Sequence, residues 1–196
     1  MYKYTEENKY GFYYYTKYGH LPEYDHLEMN SLSIKHGKNI ELESAYIMEQ
    51  IYPIELLTTN KNNKYDLEFH VKENFILNNI NLKKDENFTV EVKSDNKSTI
   101  FGNTVIEFEK RIIDTGKIIP SGLSVSKADF WVKRAGFKGE TLGLYIINIQ
   151  VLRRLIQKNY PVVSMYNSDK ECCYMYRIPM VDFNKYSENV LLKLNK

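Results

Sequence analysis

The segment Phe88-Thr89-Val90-Glu91-Val92-Lys93 constrains this chain more than any other, because apolar and polar residues alternate in it one by one. Successive side chains of a strand point to opposite faces, so the segment reads as a strand with two different faces. Phe88, Val90 and Val92 make one face fit for a core, and Thr89, Glu91 and Lys93 make the other polar. Such a strand has to join a sheet, and the sheet has to be covered on its apolar side. The rest of the sequence must then supply further strands and helices that could cover them.

Residues 39–52 carry helix formers with Ile40, Ala45, Met48 and Ile51 at helical spacing and Pro53 just beyond, which predicts a helix. Lys61-Asn62-Asn63 predicts a turn and residues 65–69 a strand. Residues 75–82 predict a hairpin interrupted at Asn78-Asn79, residues 94–97 a polar turn, and residues 104–109 a strand. After a loop over 116–122, residues 124–134 read as a helix with Ser124 or Ser126 as N-cap, and on that reading Trp131 packs the helix against the sheet. Residues 142–147 read as a buried strand, 150–158 as a helix ending before Pro161, and 164–179 as late strand material. The Tyr-rich residues 1–30, including Tyr13-Tyr14-Tyr15, read as a peripheral extension. This order favours an α/β fold, a mixed sheet with helices packed on its faces. With 196 residues, no internal repeat and no evident linker, one domain over 1–196 is expected.

Apolar residues make up 43% of the chain and charged residues 27%, which excludes a largely disordered chain. Lys3, Glu6, Glu7 and Lys9 precede no apolar run, so no secretory signal is read, and the apolar stretch 142–152 is too short to span a membrane. A cytoplasmic location is expected. Cys172 and Cys173 are adjacent, which disfavours a disulfide, and they read as reduced structural thiols. Residues 1–95 hold 11 Lys and Arg against 16 Asp and Glu, and residues 96–196 hold 16 against 9, so the halves carry −5 and +7. That asymmetry suits a protein whose acidic half holds a cation while its basic half meets phosphate, and equally suits charge scattered over solvated faces.

On a strand, Glu91 and Lys93 project from the same face. A carboxylate there can hold a hard divalent cation, with the lysine beside it near an attacking water and a phosphate; Asp66, on a neighbouring strand, can complete the set. A Glu-x-Lys triplet alone also arises by chance in a chain with 27 basic and 25 acidic residues. Other chemistries lack their residues: the four histidines show no zinc spacing, and neither a Gly-rich phosphate loop nor a serine-hydrolase elbow is present.

Gly37, then Glu41 on a helix, Asp66 at a strand and Glu91-Val92-Lys93 at the next resemble the core of archaeal Holliday-junction resolvases and other PD-(D/E)XK nucleases. Glu91-Val92-Lys93-Ser94-Asp95, Gly102 to Glu107, Ser121-Gly122-Leu123 and Lys127 to Trp131 are similar to phage and prophage proteins of the same nuclease fold. The two together cover roughly residues 37–150, the expected catalytic core. The resemblance implies a restriction-endonuclease-like three-layer α/β/α core with a central mixed sheet. It implies Glu41, Asp66 and Glu91 as metal ligands for Mg²⁺, with Mn²⁺ as substitute, and Lys93 as the group that orients water and stabilises negative charge. Tyr65 stands where the motif's proline often stands, and the gap from Asp66 to Glu91 implies an inserted loop over 73–85. Glu43 lies on roughly the opposite side of the helix from Glu41, so only one of the two should face the site.

Glu107 reads either as an additional ligand or as a solvated strand residue. Ser121 and Lys127 read either as a phosphate site at a helix N-terminus or as ordinary capping residues. Arg153, Arg154 and Lys158 form either a basic stripe toward nucleic acid or a solvated helix face. The expected function is Mg²⁺-dependent endonucleolytic hydrolysis of DNA, with no membrane partner. Two-strand cleavage would favour a homodimer, and the Asn, Lys, Ile and Tyr content a phage, virus or low-GC source. The alternatives are a nuclease-fold protein that binds nucleic acid or a protein without cutting, and a structural protein in which Asp66 and Glu91 lie far apart.

Overall fold

The computed structural model describes residues 32–59, 65–95, 102–137, 140–168 and 170–191. The expected extension over 1–30 and the turn at 61–63 fall outside them. Helix α1, Leu32–Ile51, begins earlier than the apolar spacing suggested and stops ahead of Pro53. Its buried residues Ile40, Ala45, Ile47 and Met48 turn toward a six-stranded sheet.

That sheet runs β1 (Ile54–Thr59), β2 (Leu67–Val71), β5 (Asn87–Asp95), β8 (Phe130–Phe137), β9 (Glu140–Asn148) and β12 (Glu188–Leu191). All neighbours are antiparallel except β5 and β8, which pair in parallel at the centre. The hairpin β3 (Phe75–Leu77) and β4 (Ile80–Leu82) turns on Asn78 and Asn79, both at positive φ, as a tight two-residue hairpin turn requires.

Parallel neighbours need a long crossover. Among the described residues it is built from strands, β6 (Asn103–Ile112) and β7 (Ile118–Pro120), followed by a 3₁₀ turn, Gly122–Ser124. The β6 strand joins β7, β10 (Val162–Ser168) and β11 (Glu171–Pro179) in a second, antiparallel sheet ordered β10-β11-β6-β7. Helix α2 (Ile149–Ile156) follows β9, with Asn148 as N-cap accepting from Gln150 and Val151 N–H, and helix α3 (Met180–Asn184) follows β11.

Two apolar clusters lie on the two faces of the main sheet. Phe69, Phe88, Val90, Phe130 and Val132 meet α1 on one face. Trp131 and Ile147 meet Ile106 of β6, Leu152 and Leu155 of α2, Ile178 of β11 and Phe183 of α3 on the other. The chain is thus mixed α/β, dominated by strands. Where a helix was expected over 124–134, the structure has the 3₁₀ turn and then the central strand β8, and Trp131 packs from that strand. Residues 130–136 are all buried because β8 is covered on both faces, so its sequence lacks alternation. Lys133 and Arg134, which lend the segment its helical look, are buried strand residues. The β5 strand also runs on to Asp95 where a turn was expected from Ser94. Cys172 and Cys173 are free and buried.

Candidate active site

Glu91 and Lys93 point from β5 toward the second sheet, opposite to Phe88, Val90 and Val92. Asp66 precedes β2 and extends the ladder by both its main and its side chain. Its N–H donates to the Val90 carbonyl at 2.9 Å, and its Oδ2 accepts from Val92 N–H at 2.7 Å. Glu91 is thereby bracketed by the two bonds that fix Asp66. Lys93 Nζ lies 2.5 Å from Glu91 Oε1 and 3.9 Å from Asp66 Oδ2, and 5.7 Å from the centre of the Trp131 ring. Asp66 and Glu91, which a scattered-surface reading places far apart, face one ammonium.

These three residues open into a pocket of about 260 Å³ whose other walls are Glu107, Ser121, Gly122, Val125 and Ser126. The Ser121 hydroxyl donates to Glu107 Oε1, and the Ser126 hydroxyl to Glu91 Oε2 at 3.3 Å. Arg153 Nη2 donates to the carbonyls of Ser126 at 2.8 Å and Leu123 at 3.4 Å, so α2 braces the wall that carries Ser126.

Carboxylates crowd this region. Burial, and then the charge of Asp66, pushes the Glu41 carboxyl up to about 7, with Lys38 opposing at 2.8 Å. Glu91 is raised as well, first by burial, against the pull of Lys93 and with the repulsion of Asp66 added. Burial works against the charge on Lys93, but Asp66, Glu91 and Glu107 together outweigh it and raise its pKa. The balance favours bound positive charge.

On α1 the two glutamates differ, and neither lines the pocket. Glu43 binds Arg134 Nε at 2.9 Å, whereas Glu41 lies where Asp66 acts on it. Ser121 stands in the pocket, but only a 3₁₀ turn follows it, so the expected helix N-terminus for phosphate is not formed there. Lys127 is exposed, Arg153 is engaged with loop carbonyls, and Arg154 is exposed with Nε reaching the Gln150 carbonyl at 3.4 Å. The roles of Ser126 against Glu91 and of Gly122 against Glu107 escaped the sequence, because both depend on a contact between segments distant in the chain.

Among the described residues no three His, Cys, Asp or Glu side chains stand together closely enough to share a metal ion. Asp66, Glu91 and Glu107 nevertheless offer only oxygen donors to one pocket, the donor type that Mg²⁺ selects, and two carboxylates suffice for an ion that keeps several waters. Among the described residues no helix is long and apolar enough to cross a membrane. Compared with family models, curated proteins and solved structures, the chain matches none.

Proposed function

We propose that this pocket is the reaction centre of a metal-dependent endonuclease that hydrolyses DNA phosphodiesters, of the PD-(D/E)XK type. The observation that carries the reading is the shared position of Lys93 beside Glu91 and Asp66 at a pocket lined with oxygen donors. The mixed sheet with α1 on one face and α2, α3 and a strand layer on the other supports the three-layer arrangement of that superfamily, with its crossover built from strands.

Asp66 and Glu91 would hold Mg²⁺ or Mn²⁺; Glu41, the third ligand the resemblance implies, does not line the pocket. The ion, when bound, polarises a phosphoryl oxygen and lowers the pKa of coordinated water. Lys93 supplies fixed positive charge to the phosphate as negative charge grows on it. Ser126, braced by Arg153, holds the orientation of Glu91. The DNA backbone would approach from the open side of the pocket, and cutting both strands would call for two copies of the chain.

Purified protein is titrated calorimetrically with Mn²⁺ and assayed with Mg²⁺ on labelled duplex, single-stranded and four-way-junction DNA. Cation binding and cleavage, with cleavage abolished in Glu91→Ala and in Lys93→Ala, support the reading. Wild-type cleavage rates in either variant would refute it. DNA binding with neither cation affinity nor cleavage would identify a nuclease-fold binding protein instead.

A further inference from the structure

Glu107 comes from the second sheet, yet it lines the same pocket as Asp66, Glu91 and Lys93. Three features of the backbone and its neighbours aim it there. The β6–β11 pairing steps from Glu109↔Tyr174 to Glu107↔Met175, so Phe108 is an extra residue, a bulge in β6. In an unbroken strand Glu107 and Glu109 would share one face; a bulge re-aims the side chain beside it. Next, Gly122, at φ +49°, lies so close that a Cβ on it would stand 2.3 Å from the Glu107 carbonyl oxygen. The chain at 121–122 is pressed onto the Glu107 backbone in a way only glycine allows. Last, the Ser121 hydroxyl donates to Glu107 Oε1 and fixes the carboxylate's rotation. A solvated strand residue needs none of these arrangements.

A carboxylate has about four acceptor positions. The Ser121 hydroxyl takes one, leaving capacity for a further donor from the pocket. Glu107 also lies near enough to Lys93 for its charge to act on the ammonium, and so on the phosphate that Lys93 would meet.

We infer that Glu107 is a catalytic residue that hydrogen-bonds the attacking water and takes its proton, an inference that rests on the nuclease reading above. In the step, the water oxygen bonds to phosphorus while the ester P–O bond to the departing sugar breaks, its electron pair leaving on the sugar oxygen. The water's proton passes to Glu107, the departing oxygen takes a proton from solvent, and Glu107 returns its own to solvent afterwards. Positioned proton transfer of this kind contributes about 10²–10⁴-fold in rate.

The test compares wild type with Glu107→Gln, which keeps the shape and the bond from Ser121 but is a far weaker proton acceptor. Expected are Mn²⁺ affinity within about twofold of wild type by calorimetry, unchanged KM for DNA, and a kcat at least about 100-fold lower. A Glu107→Gln protein that cuts within a few-fold of wild type overturns the inference and leaves the nuclease reading standing. One that loses Mn²⁺ affinity also overturns it, since Glu107 would then be a ligand. A wild type that neither binds Mn²⁺ nor cuts removes both. Should Glu107→Gln fail to fold, Ser121→Ala decides: kcat about 10-fold lower at unchanged Mn²⁺ affinity supports the inference, and unchanged kcat overturns it.

Discussion

Arg134 Nε donates to Glu43 Oε2 at 2.9 Å, joining the central strand β8 to helix α1 through side chains that are only 4% and 14% exposed. Removing one member of a pair this dry typically costs about 3–5 kcal/mol. Glu43→Ala should therefore destabilise the fold by about 3 kcal/mol in urea unfolding, and Glu43→Leu with Arg134→Met together should recover most of the loss. Glu41→Ala should cost far less, because its carboxyl already works against burial and Asp66. Equal losses at 41 and 43 would contradict the division of labour between them.

Lys93 lies between two carboxylates that would also attract a divalent cation, so ammonium and cation compete for the same negative charge. On the proposed nuclease reading, Lys93→Ala should raise Mn²⁺ affinity while abolishing cleavage. Glu91 is only 11% exposed, so loss of its ammonium partner should lower stability as well, and cleavage is read below the variant's own melting range. Calorimetry and the cleavage assay read the two effects separately; a weakened Mn²⁺ affinity would show that Lys93 supports the ion rather than competing with it.

The Glu-x-Lys strand was legible because β5 has one core face and one polar face, and period two survives in such a strand. Asp66 was legible beside it by type and order, although its bond to Val92 N–H could not be foreseen. The β8 strand was not legible. Residues 130–136 are buried on both faces, and its two charges, Lys133 and Arg134, are inside the protein, so periodicity and polarity both misled toward a helix. The second sheet was visible only as separate strands, since what brings Glu107 to Lys93 is a crossover built from strands where the usual prior is a helix. The bulge at Phe108 leaves no mark in local sequence at all.

Gly122 carries a more direct expectation. At φ +49° a side chain is disfavoured by about 1–2 kcal/mol, and its Cβ would meet the Glu107 carbonyl oxygen at 2.3 Å and carbon at 2.9 Å. Backbone cannot yield as a flexible side chain can, so Gly122→Ala should cost about 2 kcal/mol or more and lower the melting temperature by about 4–8 °C. Because the displaced partner is Glu107 itself, on the proposed reading the rate of cleavage should fall further than the loss of stability alone explains. Scanning calorimetry and single-turnover assays below the melting range separate the two, and a Gly122→Ala protein as stable as wild type would show that segment 121–126 is not pressed onto β6.

Cys173 reports on the same corner from the opposite side. Burial first, and then the charge and hydrogen-bond acceptance of Glu107, push its thiol up to about 11 from an ordinary 9.0. A thiol whose pKa is higher in the folded than in the unfolded protein favours folding while protonated. That contribution is fully present below pH 9 and is lost as the pH climbs through about 11. Stability measured in urea should thus decline between pH 9 and 11, and Cys173→Ser, whose hydroxyl does not titrate there, should flatten this part of the decline. Native protein should react slowly with iodoacetamide at pH 8, where the thiolate is scarce and the sulfur buried. Glu107→Gln removes the charge that opposes the thiolate, so it should speed alkylation of Cys173 in the folded protein. Mass mapping of the modified peptide identifies the site, and a rate unchanged by Glu107→Gln would mean that Glu107 does not govern this thiol.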